Sequence, residues 1–292
     1  MKAEKIYVLI NQKARGTAKH KAAMESAAEH IRKFMPCELV YTESPEEFAK
    51  MAKELSADSK NLVAASGGDG TINFALNEIT PGAPLALIPT GTANVIAREL
   101  GLPKKILDIF KLLLTGALQN IDIGLCCGKK FAFVAGIGFD AVVADSVSSK
   151  LKVFLGQAAY AVALFKVLLT YKPARLTIES DDGSKVEGDF AIFANMRRYG
   201  GEMYFAPEAR YDDGLLNLVL LRDFSFLSLL KLIKYAYFGG RFPTEVATKV
   251  ISKHFKVIAS KPTMYELDGE VFGPEKEFEI GVEPSSQKVM TT

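Results

Sequence analysis

Four apolar runs of strand length, KIYVLIN (5–11), CELVYT (37–42), NLVAAS (61–66) and PLALIP (84–89), are each followed by a stretch with helical spacing. No other feature of the chain constrains its fold as much. A run that is apolar along its whole length cannot turn one face to water, so each strand needs cover on both sides. The intervening stretches supply that cover. Met24, Ala27, Ala28 and Ile31 fall on one face of a helix expected over residues 18–34, and Ser44-Pro45-Glu46-Glu47 carries the cap, proline and acids of a helix start. Strand, helix, strand in this order predicts a mostly parallel sheet with helices on both faces, an α/β domain over residues 1–122.

The pattern changes near Asn120. Shorter strand-like segments follow, among them IDIGLCC, KFAFVAGIG, ARLTIES, DFAIFAN, LLNLVLL, HFKVIAS and EFEIGVE. Asp182-Gly183, Asp213-Gly214 and Asp268-Gly269 mark turns between them. Helical inserts are expected near residues 151–171 and 224–238. This predicts a β-rich sandwich domain over residues 123–283 and a tail, 284–292, whose return to the first domain is left open. A chain of 292 residues is long enough for two such cores.

Composition narrows the function. A formal net charge of +2 argues against a nucleic-acid partner. Cys37, Cys126 and Cys127 form neither a disulfide framework nor a zinc pattern, and His20, His30 and His254 are too scattered for a histidine-based metal site or triad. MKAEKIYVLIN lacks the apolar length of a signal peptide, so a cytoplasmic protein is expected. The apolar stretch 152–171 is interrupted by Gln157 and Lys166 and reads as a buried or interfacial helix in preference to a membrane span.

The third run ends in SGGDGT (66–71). In an open parallel sheet, ligands bind beyond the carboxyl ends of the strands. Gly67, Gly68 and Gly70 are expected to take positive φ and to bring backbone N–H groups against an anion at the start of the next helix. Asp69 would repel a phosphate there unless it holds a cation, accepts a proton, or does both. The plain alternative is a turn with a capping aspartate. A second turn of the same kind, PTGTAN (89–94), follows the fourth strand, with Thr90 or Thr92 as a possible ordinary cap. Two such turns on successive strand ends would face one crevice.

With SGGDGTIN (66–73), PTGTAN (89–94), IDIG (121–124), GIGFDA (136–141), the stretch NMRRYGGEMYFAPEARYDDGLL (195–216) and LDGE (267–270) in this order, the chain resembles the diacylglycerol kinase catalytic domain family. That family includes soluble bacterial members and the sphingosine and ceramide kinases, and the resemblance covers nearly the whole chain. It implies an NAD kinase- or phosphofructokinase-like α/β domain, a β-sandwich, ATP held between the two, and Mg²⁺-assisted transfer of the γ-phosphate to a lipid hydroxyl. ATP contacts carry over to Asn11, Thr42, Gly67, Gly68, Asp69, Gly70, Thr71, Ile72, Asn73, Thr92 and Asn94. A structural Mg²⁺ site carries over to the Asp213 carboxylate with the backbone carbonyls of Arg210 and Leu215. The base falls on Asp268 or Glu270, with Asp268 slightly favoured, and Asp122 matches an acidic position near the catalytic metal. Asp69 is the next candidate for the base.

Two departures stand out. Val95 occupies a position where many members carry an acid, and Gln12 replaces a common proline. An NAD kinase-like enzyme and a nucleotide-binding regulator without turnover are the alternatives. A lipid substrate implies contact with a membrane surface, and FSFLSLLKLIKYAYFGGRF (224–242) has the apolar and basic composition of an interfacial helix, although a core-packed helix reads equally well. Homodimer formation is left open.

Overall fold

The computed structural model describes residues 3–13, 17–146, 167, 168 and 170–292. The chain divides into two compact units, Met1–Ile123 with Pro284–Thr292, and Gly124–Glu283.

In the first unit, strands β1 (Lys5–Asn11), β2 (Cys37–Thr42), β3 (Asn61–Gly67) and β4 (Leu85–Pro89) lie in the order β4-β3-β1-β2, all parallel. The end of the last strand, β14 (Glu270–Thr291), adds to the β4 edge in parallel, with Val289 opposite Leu85. Ile6, Val8 and Ile10 pack with Met24 and Ile31 of α1 (Thr17–Arg32) and Phe110 of α5 (Ile106–Thr115). Leu9, pointing to the opposite face, is equally buried. Helices α2 (Pro45–Ser56) and α3 (Asp69–Glu78) meet through the rings of Phe48 and Phe74, 5.8 Å apart. Ser44 caps α2 by accepting from the Glu47 N–H at 3.2 Å, a contact worth about 1 kcal/mol. Burial on both faces explains why β1, β3 and β4 read as apolar runs, while the edge strand β2 is buried only at Cys37 and Thr42.

The second unit is antiparallel. Strands β12 (Ala247–Ser252), β11 (Leu216–Leu221), β10 (Phe190–Ala194), β7 (Val134–Ile137) and β13 (His254–Leu267) are neighbours in that order, and β13 continues into β14. A hairpin of β8 (Leu176–Ser180) and β9 (Lys185–Gly188) attaches to β13. Another joins β5 (Ala117–Cys126) to β6 (Lys129–Phe131). The core gathers Phe131, Phe193, Phe255 and Phe278. At each Asp-Gly turn the glycine has positive φ: 80° at Gly183, 71° at Gly214 and 87° at Gly269. Three further helices complete the description: α4 (Val95–Glu99), α6 (Phe139–Ser146) and α7 (Phe226–Phe238). Most of the stretch 152–171 lies outside the described residues, and among those described no helix is long and apolar enough to cross a membrane. Cys37, Cys126 and Cys127 are free thiols.

Candidate active site

The two glycine turns of the first unit are level with one another because β3 and β4 pair up to Gly67 opposite Pro89. The expectation of positive φ at Gly67, Gly68 and Gly70 is corrected: none of the three adopts it, and Gly68 is extended at φ −87° and ψ −175°. Their smallness serves close packing. A Cβ on Gly67 would lie 2.3 Å from the Thr71 side chain, and one on Gly91 would lie 2.5 Å from the Gly68 Cα. The turns therefore touch backbone to backbone, which no larger residue permits. Gly70 is different. It is exposed, and a Cβ there would meet nothing within 4 Å.

Asp69 lies in the first turn of α3 and is half-buried. Its Oδ1 accepts from the Ile96 N–H at 3.4 Å, and the amides of Val95 and Asn94 also face it. Burial raises its pKa, and those amides oppose the rise. Asp69 thus caps the neighbouring helix, α4, and clasps the two turns together. The cap comes from there and not from Thr90 or Thr92. Asn94, left-handed at φ 48°, accepts from the Gly91 N–H at 3.0 Å and donates to the Gly91 carbonyl at 2.9 Å, so its amide braces its own turn. Helix α3 starts without a side-chain cap, which leaves its first N–H groups to solvent or an anion. Thr92 is exposed and lines a cleft of about 250 Å³ with Pro89, Asn94, Arg98, Leu102 and Lys104. Ile72 and Asn73 are buried, and Asn77 donates to the Asn73 side chain at 3.2 Å.

Asn11 ends β1, accepts from the Lys13 N–H at 3.0 Å and, through its carbonyl, from the Thr17 hydroxyl at 2.7 Å. Thr42 is buried and donates to the Ile10 carbonyl at 3.3 Å. Asp122 is buried, and its Oδ1 accepts from the N–H of Ser285, a residue with φ 52°, at 2.7 Å.

In the second unit, LDGE is a two-residue hairpin. Leu267 pairs with Glu270, and Asp268 and Gly269 have φ of 53° and 87°, as a type I′ turn requires. The turn ends the strand alternation that would have put Asp268 and Glu270 on one side. Glu270 is exposed, whereas Asp268 is buried. Asp268 Oδ2 accepts from the Ala132 N–H at 2.6 Å, and its Oδ1 accepts from those of Phe133 and Val134 at 2.9 and 3.0 Å. Asn195, the first residue of the NMRR stretch, donates to the Ala132 carbonyl at 2.7 Å, and its own N–H bonds the Phe133 carbonyl at 2.9 Å. One irregular segment is thus held by an aspartate on its N–H side and an asparagine on its carbonyl side.

Beside this turn lies a carboxyl pair that the sequence reading missed. Glu266 Oε2 accepts from the Gly269 N–H at 2.5 Å. Asp140, from GIGFDA, accepts from the Ala141 N–H at 2.7 Å and from the Tyr199 hydroxyl at 3.1 Å, and it is hydrogen-bonded to Glu266. Gly136 faces Glu266 across the β7–β13 pairing, and a Cβ there would overlap Asp140. The available signal was a carboxylate inside the apolar run FVAGIGFDAVVA and a second at a buried strand position. Burial pushes Asp140 up to about 7, and burial followed by the Asp140 charge pushes Glu266 well above the carboxylate range. Both folded-state values exceed those of the unfolded chain. The Asp140 contribution to stability is therefore complete below about pH 4 and is lost as pH rises through about 7. Wild type should lose stability relative to Asp140→Asn between pH 5 and pH 8, followed by urea unfolding. Parallel profiles would rule out a shared proton.

In the DDG turn, Arg210 forks onto Asp212 at 3.0 and 3.4 Å, and the exposed Asp213 accepts from the Leu215 N–H at 3.0 Å. Among the described residues no group of three or more His, Cys, Asp or Glu gathers around a metal position. A cation here would draw on one carboxylate and turn carbonyls, an oxygen set that suits Mg²⁺.

A parallel α/β unit with paired glycine turns, joined to an antiparallel β unit, defines the fold shared by lipid and NAD kinases. Residues 5–126 match the diacylglycerol kinase catalytic domain, and residues 133–291 match the YegS C-terminal NAD kinase beta sandwich-like domain. The diacylglycerol kinase of Bacillus subtilis (strain 168) is 32% identical over 228 residues, which are 76% of this chain and 75% of that one. The crystal structure of a diacylglycerol kinase from Bacillus anthracis str. Sterne superposes with TM-score 0.73 at 19% identity, covering 100% of this chain and 98% of the other. An NAD kinase from Archaeoglobus fulgidus, solved in complex with ATP, superposes at 0.53 with 16% identity, covering 98% and 92%. The chain belongs to the diacylglycerol kinase family of lipid kinases.

Proposed function

We propose that this protein transfers the γ-phosphate of ATP to the hydroxyl of a lipid alcohol such as diacylglycerol. The observation that carries the reading is the pair of glycine turns packed at adjacent strand ends, with Gly70 open and the first turn of α3 uncapped. Phosphates would take the N–H groups of that turn, and the close approach of Gly68 to Gly91 keeps the second turn in place beside them. Asp69 and Asp122 hold their turns through backbone amides, which fixes the carboxylates before a nucleotide arrives. Mg²⁺ bound with the nucleotide would neutralise phosphate charge. Asp213 with the carbonyls of Arg210 and Leu215 would hold a structural Mg²⁺. Glu270 is the better candidate to take the acceptor's proton, because it is exposed while Asp268 is committed to three backbone amides. Asp268 then positions Glu270 through the turn. The acceptor lies in a membrane, so the protein works in peripheral contact with a bilayer.

The test is transfer of label from ATP across a panel of lipid alcohols in mixed micelles, with NAD as a control acceptor. Glu270→Gln should lower kcat about 100-fold or more and leave ATP affinity and the unfolding midpoint unchanged. Phosphorylation of NAD alone, or ATP binding with no product on any acceptor, would overturn the reading.

A further inference from the structure

Helix α7 carries large apolar side chains on two opposite faces. Leu229, Leu232, Tyr235 and Ala236 are buried in the second unit, so one face is packed. The Ala236 carbonyl accepts from the Tyr204 N–H at 2.8 Å, the Tyr235 ring lies 5.3 Å from that of Phe242, and Ser225 caps the first turn by accepting from the Ser228 N–H at 3.1 Å. The helix is therefore anchored, and its orientation is set. Its other face turns outward: Phe226 is 60% exposed, Leu227 67%, Leu230 49%, Tyr237 53% and Phe238 84%. These are five of the nine exposed large hydrophobic residues among those described, gathered on thirteen residues of chain. At 100° per residue, Phe226, Tyr237, Leu230, Lys234, Leu227, Phe238 and Lys231 follow one another across a single arc.

We infer that this arc is the surface by which the protein docks on an anionic lipid bilayer. The charge identifies the occupant. Residues 224–242 contain Lys231, Lys234 and Arg241 and no acidic residue. Lys231 meets Glu245 at 3.2 Å in an exposed pair that salt screens, and Lys234 and Arg241 are exposed. Aromatic and leucine side chains flanked by lysines match the boundary between acyl chains and anionic headgroups, where lysine stems lie along apolar surface with their ammonium groups in the headgroup layer. A second copy of the chain fits the arc less well. A two-fold contact would set the same three cations against one another, with Glu245 as the nearby counter-charge. The inference gives the proposed lipid kinase its docking surface and rests on that reading for its purpose, but it is measurable without nucleotide.

The chain contains no tryptophan, so Phe238→Trp places a single reporter on the arc. On vesicles of equimolar phosphatidylglycerol and phosphatidylcholine its emission should shift to the blue, and the shift should weaken at high salt and on vesicles of phosphatidylcholine alone. In the otherwise native full chain, the double substitution Leu227→Ser with Leu230→Ser should reduce co-sedimentation with the anionic vesicles about ten-fold or more. Lys234→Glu should reduce it and flatten its salt dependence. Transfer to a short-chain acceptor dispersed in detergent tests the kinase reading separately and should be untouched by these variants. An unshifted emission with unchanged co-sedimentation would overturn the docking surface. So would a concentration-dependent dimer in sedimentation velocity that the same double substitution abolishes, because a second copy would then cover the arc.

Discussion

Asp268→Ala is expected to destabilise the second unit by roughly 3–5 kcal/mol, a large part of what holds an ordinary domain folded. The carboxylate is buried and accepts from three consecutive N–H groups, those of Ala132, Phe133 and Val134. Truncation takes from all three N–H groups the acceptor they now share. Asp268→Asn should cost less, because an amide oxygen can still serve Phe133 and Val134 and asparagine tolerates a φ of 53°. Its NH₂ group would nevertheless oppose the Ala132 N–H, which now lies 2.6 Å from the carboxylate. Urea unfolding read by far-UV circular dichroism checks both values. The result that matters most is the asparagine variant. A clasp predicts a lower midpoint and reduced turnover together, whereas a base predicts a normal midpoint with turnover lost. An unchanged midpoint in Asp268→Asn would return the proton-accepting role to Asp268.

This case shows why the architecture could be read from the sequence more fully than the site. Strands β3 and β4 were legible because burial on both faces leaves almost no polar position to confuse the pattern. The edge strand β2, buried only at Cys37 and Thr42, was legible from its length, and CELVYT coincides with it. The Asp-Gly turns were legible because positive φ is a local demand that a dipeptide can signal. The partners of Asp69, Asp122, Asp140 and Asp268 were not, since apart from the Ala141 N–H next to Asp140 they are amides, a hydroxyl and a carboxyl brought near by tertiary structure. Asp268 bonds amides more than 130 positions away in the chain, and Asp122 reaches Ser285 across 163. An aspartate in a glycine-rich motif reads as chemistry, yet three of these four accept from the backbone of another segment. Glycine carried a second ambiguity: Gly67 and Gly91 are small to let neighbours close in, which looks the same in sequence as a need for positive φ.

Gly70 separates the two explanations for the glycine turns. Replacement by valine should leave the unfolding midpoint of the first unit within about 0.5 kcal/mol of wild type, since a Cβ there meets nothing within 4 Å and φ is not positive. If the open side of the turn receives phosphate, the same side chain stands where the anion must sit. Losing two charge-assisted hydrogen bonds from the first turn of α3 would then weaken ATP binding about 100-fold or more. Gly91→Ala is the contrasting variant. Its Cβ would lie 2.5 Å from the Gly68 Cα, so it should lower both the midpoint and the affinity by forcing the turns apart. Calorimetric titration with ATP beside a urea curve for each variant gives the two readings together. A folded Gly70→Val protein that binds ATP like wild type would show that the phosphates lie elsewhere, and that these glycines serve only to bring β3 and β4 into close register. A stable protein that has lost the nucleotide would place the phosphates over the first turn of α3, where the backbone is bare.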